Sequence, residues 1–122
     1  MQKYDICCCE DKHHKMEKFM EICLLCFLNE GQGYGYGLIE QLSVFGFSYD
    51  ATNIGSLYRT LRRMELDELV TSSWEEGGQG PKRRVYKISL KGKEELKNRV
   101  DILKNRLAMI TKLIRRYENN EK

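Results

Sequence analysis

The sequence predicts an α+β fold in which helices are followed by a β-hairpin and a long C-terminal helix. Apolar residues recur at spacings of three and four between Ile54 and Met64, which predicts an amphipathic helix. Two alternating runs, residues 69–74 and 84–88, flank a glycine-rich turn and predict a long-looped hairpin. With another helix before them, these elements predict a winged helix-turn-helix, in which one helix can enter the major groove of DNA while the hairpin, or wing, lies along the backbone.

The length of 122 residues suits one domain with a real core. We expect a flexible N-terminal tail at residues 1–15, a winged helix-turn-helix DNA-binding domain at residues 16–90 and a C-terminal dimerisation helix at residues 91–122. The net charge of +3 is modest, so an anionic partner must be argued from where the basic residues lie. Because the chain lacks both an apolar run of membrane-spanning length and the apolar core of a signal peptide, we expect a cytoplasmic protein with no membrane partner.

The helices before the hairpin follow from composition and turn chemistry. Residues 16–29 predict a helix that is apolar over most of its surface and therefore surrounded by neighbours. The glycine-rich segment 31–37 follows a helix and contains no G-x-G-x-x-G motif, so it predicts a turn rather than a nucleotide-binding loop. The helix that follows this turn is the second in the chain, and the amphipathic helix between Ile54 and Met64 is the third. These two helices form the helix-turn-helix, with residues 47–51 as the connection. Thr52 and Asn53 can cap the third helix.

Positive charge is concentrated on the third helix and the wing. Residues 51–64 contain no acid, and residues 77–93 contain six Lys or Arg but no Asp or Glu. A solvated helix and hairpin would explain either element alone, but the two in this order favour binding of double-stranded DNA through its phosphates. The residues expected to contact DNA are Asn53, Ser56, Tyr58, Arg59, Thr60, Arg62 and Arg63 on the helix, and Lys82, Arg83 and Arg84 on the wing.

The C-terminal segment contains an unbroken heptad series, in which apolar residues alternate spacings of four and three. A helix of about 25 residues would be about 37 Å long, which is longer than the small domain it follows. The alternative is a single amphipathic helix that lies on its own domain, but the length favours pairing with a second copy. The residues expected to form the dimerisation seam are Leu96, Val100, Leu103, Leu107, Ile110, Ile114 and Tyr117.

The cysteine pattern offers an alternative function for the same fold. Cys7, Cys8 and Cys9 are consecutive, and His13 and His14 follow closely. Thiolates and imidazoles can bind zinc or copper(I), so the chain could be a thiol- or metal-responsive regulator that uses these cysteines. Adjacent cysteines cannot easily all face one ion, and the total of five is odd. We therefore expect reduced thiols, no metal site and no cofactor.

An enzymatic function is not expected from these residues. Both histidines lie in the polar tail, and no nucleophile, base and orienting acid occur at recognisable spacing. A third interpretation is a coiled-coil adaptor that binds protein and uses the basic hairpin only as surface. The salt dependence of duplex binding separates the adaptor from the DNA-binding interpretations.

Three patches of the sequence resemble the PadR family of bacterial transcriptional regulators, over a region from about Phe19 to Leu96. They are Gly-Tyr-Gly-Leu at 35–38, residues 55–64 in the third helix and residues 80–92 through the wing. Their order and spacing carry the resemblance, which is greatest to short members described as polyhydroxybutyrate-responsive repressors. The resemblance implies a homodimer whose C-terminal helices cross the partner, a repressor on a palindromic operator, and release when a small molecule binds between the subunits.

A small apolar or phenolic effector would suit such a regulator. Candidate pocket residues, all of which are equally good core, are Met16, Phe19, Met20, Leu103, Leu107 and Ile110. One position departs from the family, because a glycine usually ends the third helix where this chain has residues 66–68, Leu-Asp-Glu. The usual left-handed cap is therefore missing, which puts the end of the helix in question.

Overall fold

The computed structural model describes residues 18–48, 50–75 and 82–121. In chain order the elements are α1 (residues 18–30), β1 (Gly33–Tyr34), α2 (Gly35–Ser43), α3 (Ala51–Leu66), β2 (Val70–Glu75), β3 (Arg83–Ile88) and α4 (Leu90–Asn120). In these ranges the three strands form one antiparallel sheet with β3 in the centre, and α2 and α3 form the helix-turn-helix. The predicted winged helix-turn-helix with a long C-terminal helix is confirmed.

One hydrophobic core joins the helices to the sheet. Leu24 and Leu25 of α1 are both completely buried although they are adjacent, so α1 is surrounded on several sides, as its apolar sequence predicts. Leu42 of α2 and Leu57 and Leu61 of α3 fill the same core. Each such leucine stabilises the fold by about 1.5–3 kcal/mol relative to an exposed position. The core therefore fixes which face of α3 remains accessible.

The N-terminus of α3 differs from the sequence-based prediction. Asp50, rather than Thr52 or Asn53, caps the helix, and its side chain accepts a hydrogen bond from the Asn53 backbone N–H at 2.9 Å. Asn53 lies in the first turn, where its side-chain amide donates to the Ser48 carbonyl at 2.8 Å. The predicted cap is wrong because the extended backbone conformation required of a cap belongs to Asp50. Asn53 instead ties the α2–α3 connection to the helix.

The C-terminus of α3 is closed without a glycine. The helix ends at Leu66, and Glu68 adopts a φ of 64°, the left-handed conformation that glycine usually supplies. The backbone N–H of Leu69 then donates to the Met64 carbonyl at 2.9 Å. The helix therefore ends in the same left-handed conformation that a glycine would give. Because Glu68 has a Cβ, this conformation costs about 1 kcal/mol.

The start of α4 is fixed against the end of α3. Ser89 caps α4 by accepting from the Gly92 N–H at 3.0 Å, and its hydroxyl also lies within hydrogen-bonding distance of the Leu69 carbonyl at 2.9 Å. A Cβ on Gly92 would lie 2.2 Å from that carbonyl oxygen, so only glycine allows this approach. At 31 residues, α4 is about 46 Å long. None of the helices described is both long and apolar enough to cross a membrane.

Candidate nucleic-acid interface

The exposed face of α3 carries three of the predicted DNA contacts. Tyr58, Arg59 and Arg62 are exposed, while the apolar stripe of the same helix faces the core. Arg59 donates to the Ser56 hydroxyl at 3.1 Å, which orients its guanidinium along the helix. Tyr58 packs over α2, where a Cβ on Gly35 would lie only 2.7 Å from the tyrosine hydroxyl. The glycine that opens α2 therefore makes room for this side chain.

Two other predicted contacts of α3 are buried. Ser56 is 4% exposed and Thr60 is 0% exposed, so the structure contradicts their predicted place on the DNA-facing side. Both lie next to the apolar stripe, and their small side chains fit into the protein interior. The Thr60 hydroxyl has no hydrogen-bond partner among the described residues. Fewer polar side chains of α3 are therefore accessible than the sequence predicts.

Arg63 contacts α1, although 43% of its side chain is exposed. Its Nη2 lies 3.3 Å from Oε2 of Glu21, whose side chain is only 7% exposed. Arg99 of α4 binds the other oxygen of Glu21 at 2.5 Å and also pairs with Glu95. Burial disfavours the charge of Arg99, but the hydrogen bonds to Glu21 and Glu95 outweigh this effect and raise its pKa. One buried carboxylate thus joins α1, α3 and α4.

The ion pairs of Glu21 with Arg63 and Arg99 were not predicted from the sequence, although one feature of the sequence indicates them. Glu21 interrupts an otherwise apolar stretch of α1, and a charge inside such a helix requires a partner of opposite sign. The partners themselves could not be identified, because Arg63 and Arg99 lie far from Glu21 in the sequence. Arg63 therefore has a partner within the fold, and its predicted contact to DNA stays a prediction.

The wing consists of β2 and β3, and all three of its predicted basic residues, Lys82, Arg83 and Arg84, are exposed. The guanidinium of Arg83 lies 5.5 Å from the centre of the Tyr34 ring. The Tyr34 hydroxyl donates to Glu75 at 2.8 Å, and this hydrogen bond raises the pKa of Tyr34. Tyr34 of the short strand β1 therefore contacts the end of the wing that is nearest its loop.

Arg84 is attached to both the wing and α3. Its Nε donates to the Ser72 hydroxyl at 3.1 Å, and its guanidinium lies 5.4 Å from the centre of the Trp74 ring. Its Nη2 lies 3.7 Å from Oε2 of Glu65, the residue that also accepts a hydrogen bond from Ser72 at 2.7 Å. These internal partners were not foreseen from the sequence.

A cleft of about 470 Å³ separates α3 from the wing. Its walls combine guanidinium groups, phenol rings and one exposed indole, and one acid occurs among the lining residues that the structure describes. Such a mixture can bind an anion and pack against flat or apolar groups beside it. The lining residues are Tyr58, Arg62, Glu65, Trp74, Arg84 and Tyr86.

The predicted seam of α4 divides into two parts. Leu96 is 7% exposed and belongs to the core, and Val100 packs against that core, so the structure contradicts a free seam at this end. Leu103 is half-buried. Farther along, apolar side chains are exposed, and they include three that the heptad count does not contain. The exposed set is Ile102, Leu107, Met109, Ile110, Leu113, Ile114 and Tyr117.

The structure describes five of the six candidate effector residues. Phe19 packs against Phe45 and Phe47, with ring centres 6.4 Å and 6.1 Å away, and Met20 is completely buried in the core. None of Phe19, Met20, Leu103, Leu107 and Ile110 lines the cleft beside the wing or the smaller cavity near Gly33. Met16 lies outside the described residues.

The described cysteines are both in α1. Cys23 and Cys26 are free thiols, and burial of Cys23, together with its neighbour Cys26, raises its pKa to about 11. A thiol with that pKa stays protonated and unreactive near neutral pH. Cys26 is exposed, although the sequence of α1 predicts a helix surrounded on most sides. The predicted tail at residues 1–15, with Cys7, Cys8 and Cys9, lies outside the described residues.

Taken together, α2, α3 and the wing define a winged helix-turn-helix with a basic exposed face. The sequence profile of the transcriptional regulator PadR-like family matches residues 24–98, which is more than half of the chain. The chain belongs to the PadR-like family of transcriptional regulators. This family contains regulators and not enzymes, which agrees with the prediction from the sequence.

Solved structures share this fold. A PadR-like regulator from Bacillus cereus is 28% identical, with a TM-score of 0.71 over 83% of this chain and 96% of its own. A PadR-like transcription factor from Bacteroides fragilis is 25% identical, with a TM-score of 0.72 over 85% of this chain and 98% of its own. PadR from Bacillus subtilis, solved with operator DNA, is 18% identical, with a TM-score of 0.59 over 67% of this chain and 46% of its own. Among curated proteins, no significant match was found.

Proposed function

We propose that this regulator is a repressor that binds a palindromic DNA operator as a homodimer. The observation that carries the proposal is the exposed face of α3, where Tyr58, Arg59 and Arg62 lie beside the basic wing. The solved complex of the Bacillus subtilis PadR with operator DNA supports the same use of the fold. In this arrangement α3 enters the major groove and the wing follows the neighbouring backbone.

The basic residues have two different roles in the proposed complex. Arg59 and Arg62 project from the helix that enters the groove, so they are the candidates for bidentate contacts to guanine. Lys82 and Arg83 lie on the wing and contact phosphates, which position the protein without selecting a sequence. Tyr58 is directed toward the N-terminus of α2 and is suited to a backbone phosphate there.

The proposed dimer uses the part of α4 that lies beyond Val100. Leu107 and Ile114 are 65% and 51% exposed, and apolar side chains in a row on a projecting helix are typical of a surface that a second subunit covers. A second copy is the occupant we propose, because two identical seams bury each other around a two-fold axis. That axis would also match the symmetry of a palindromic operator.

Release by a small apolar or phenolic effector is part of the proposal. Phe19 and Leu107 are partly or largely exposed in one chain. If the α4 helix of the partner covers them, they become walls of a pocket that one chain alone does not form. Met20 is removed from the candidate wall because it is fully buried in the core.

Fluorescence anisotropy with two labelled duplexes tests DNA binding directly. One duplex carries the region upstream of the gene for this chain, and the other is a random sequence of the same length. We expect tighter binding to the upstream duplex and a steep loss of affinity for both as salt rises from 50 to 200 mM. Absence of duplex binding at the lower salt concentration would show that the chain is not a DNA-binding repressor.

Sedimentation tests the dimer. Leu107→Lys places an ammonium group in the proposed apolar seam and should convert a dimer to a monomer at micromolar concentration. Asn105→Lys is the matched control, because residue 105 lies on the other side of the helix and is already exposed. A monomeric wild type, or equal dissociation of the two variants, would contradict dimerisation through this seam.

A further inference from the structure

Among the described residues that line the cleft between α3 and the wing, Glu65 is the only acid. It is also the first acid on α3, since residues 51–64 contain none. A carboxylate at a surface that faces DNA repels the phosphates and opposes binding. Its position therefore requires an explanation other than attraction to the nucleic acid.

The partners of Glu65 are the groups that an anion in the cleft would use. Its Oε2 accepts a hydrogen bond from Ser72 at 2.7 Å and lies 3.7 Å from Nη2 of Arg84. Arg84 stands opposite Trp74 in the ladder, so both side chains project from the same face of the hairpin as Ser72. Glu65 thus occupies the place of a bound anion between the helix and the wing.

The contact between Glu65 and Arg84 is open to exchange. Their side chains are 36% and 43% exposed, and ion pairs with this exposure are weakly held because water solvates both charges. A DNA phosphate offers the same kind of oxygen acceptors to a guanidinium and can bind it through two parallel hydrogen bonds. A phosphate that approaches Arg84 from the cleft therefore competes with Glu65 for the same guanidinium.

We propose that Glu65 competes with the DNA backbone for Arg84 and so limits the affinity of this regulator for DNA of any sequence. The inference rests on the proposed function and adds a residue that acts against it. In free protein, Arg84 is held toward the end of α3 by Glu65 and Ser72. In the complex, the guanidinium turns to a phosphate, and Glu65 loses its ion-pair partner.

The variant Glu65→Gln keeps the size of the side chain and removes its charge. We expect affinity for a random duplex to rise about threefold to tenfold, and the dependence of log affinity on log salt to become steeper by about one unit. Asp67→Asn is the matched control, because it removes the same charge from the turn after α3 but does not line the cleft. It should change affinity less than twofold.

A double-mutant cycle with Arg84→Ala distinguishes competition for Arg84 from direct electrostatic repulsion between Glu65 and the DNA phosphates. If Glu65 acts through Arg84, adding Glu65→Gln to Arg84→Ala should change affinity no more than Asp67→Asn does. Persistence of the full increase in the absence of Arg84 would overturn the inference. Glu65→Ala, which alanine's high helix propensity favours, replaces the glutamine variant if that one does not fold.

DNA binding by this chain and the role of Glu65 are contradicted by different results. If the wild type binds no duplex at low salt, the DNA-binding function itself is wrong, and with it the role of Glu65. If the wild type binds but Glu65→Gln behaves like Asp67→Asn, only the role of Glu65 is wrong. A double-mutant coupling between residues 65 and 84 on both random and upstream duplexes supports it.

Discussion

Two glutamates on neighbouring helices pair with arginines in different environments. Glu21 has a side chain that is 7% exposed and joins α1 to Arg63 and Arg99, whereas the side chain of Glu65 is 36% exposed and contacts Ser72 and Arg84 of the wing. The buried carboxylate cannot regain water if a partner leaves, so its ion pairs fix the helices. The exposed carboxylate can exchange its partner at little cost. Burial therefore separates a structural ion pair from one available to DNA.

The largest expected effect comes from neutralising the buried carboxylate. Glu21→Gln leaves Arg63 and Arg99 without a counter-charge and should lower the free energy of unfolding by about 2–3 kcal/mol. Glu65→Gln should lower it by less than about 1 kcal/mol, because that pair is exposed. Urea denaturation followed by circular dichroism measures both. Equal destabilisation by the two variants would show that the environments do not differ as the structure indicates.

Arg62 and Arg63 provide a second test, since these adjacent residues of α3 face different partners. Arg62→Ala should cost about 1–3 kcal/mol of binding on an operator if the side chain makes a bidentate base contact, with a smaller effect on random DNA. Arg63→Ala should instead lower the free energy of unfolding and leave the salt dependence of binding unchanged. Anisotropy titrations and urea denaturation of the same two variants decide this. If both variants weaken DNA binding equally and neither is less stable, the assignment of Arg63 to Glu21 is wrong.

Periodicity was sufficient to predict α3 and the wing, but it did not show which of their polar residues are buried and which are exposed. The spacing from Ile54 to Met64 identifies the buried stripe, yet it does not show that the small side chain of Thr60 joins it. Successive helical residues differ by about 100° in direction. The different partners of Arg62 and Arg63 can therefore be predicted only when the position of α1 is known. Long-range packing supplies that position, and a local pattern does not contain it.

The C-terminal helix illustrates the same limit. The heptad pattern correctly predicts a long helix with an exposed apolar surface, but it extends without a break into Leu96, which packs in the core of its own domain. A repeat of apolar residues cannot distinguish an intramolecular partner from an intermolecular one. The boundary is set by Gly92, whose close approach to the Leu69 carbonyl brings the start of α4 onto the domain.

Lys82 is expected to contribute less than the residues of α3. It is exposed directly before β3, where we expect its ammonium to reach the DNA backbone but not the base edges. Lys82→Ala should weaken operator and random DNA to similar extents, and it should flatten the plot of log affinity against log salt by about one unit. Titrations of both duplexes at two salt concentrations measure this. A loss confined to the operator would assign Lys82 to base contact.

The smallest expected effect is that of the consecutive cysteines. Cys23 is protected by burial, which together with Cys26 raises its pKa to about 11, whereas Cys7, Cys8 and Cys9 belong to a polar segment with an incomplete ligand set. Replacing all three by serine should leave DNA affinity within about twofold of the wild type, because none of the charges assigned to the DNA-facing surface changes. Anisotropy with reductant, with oxidant and with added zinc measures the response. A change in affinity with oxidant or zinc that the triple variant loses would favour the thiol- or metal-responsive regulator, because only a thiolate input could then control the charged surface of α3 and the wing.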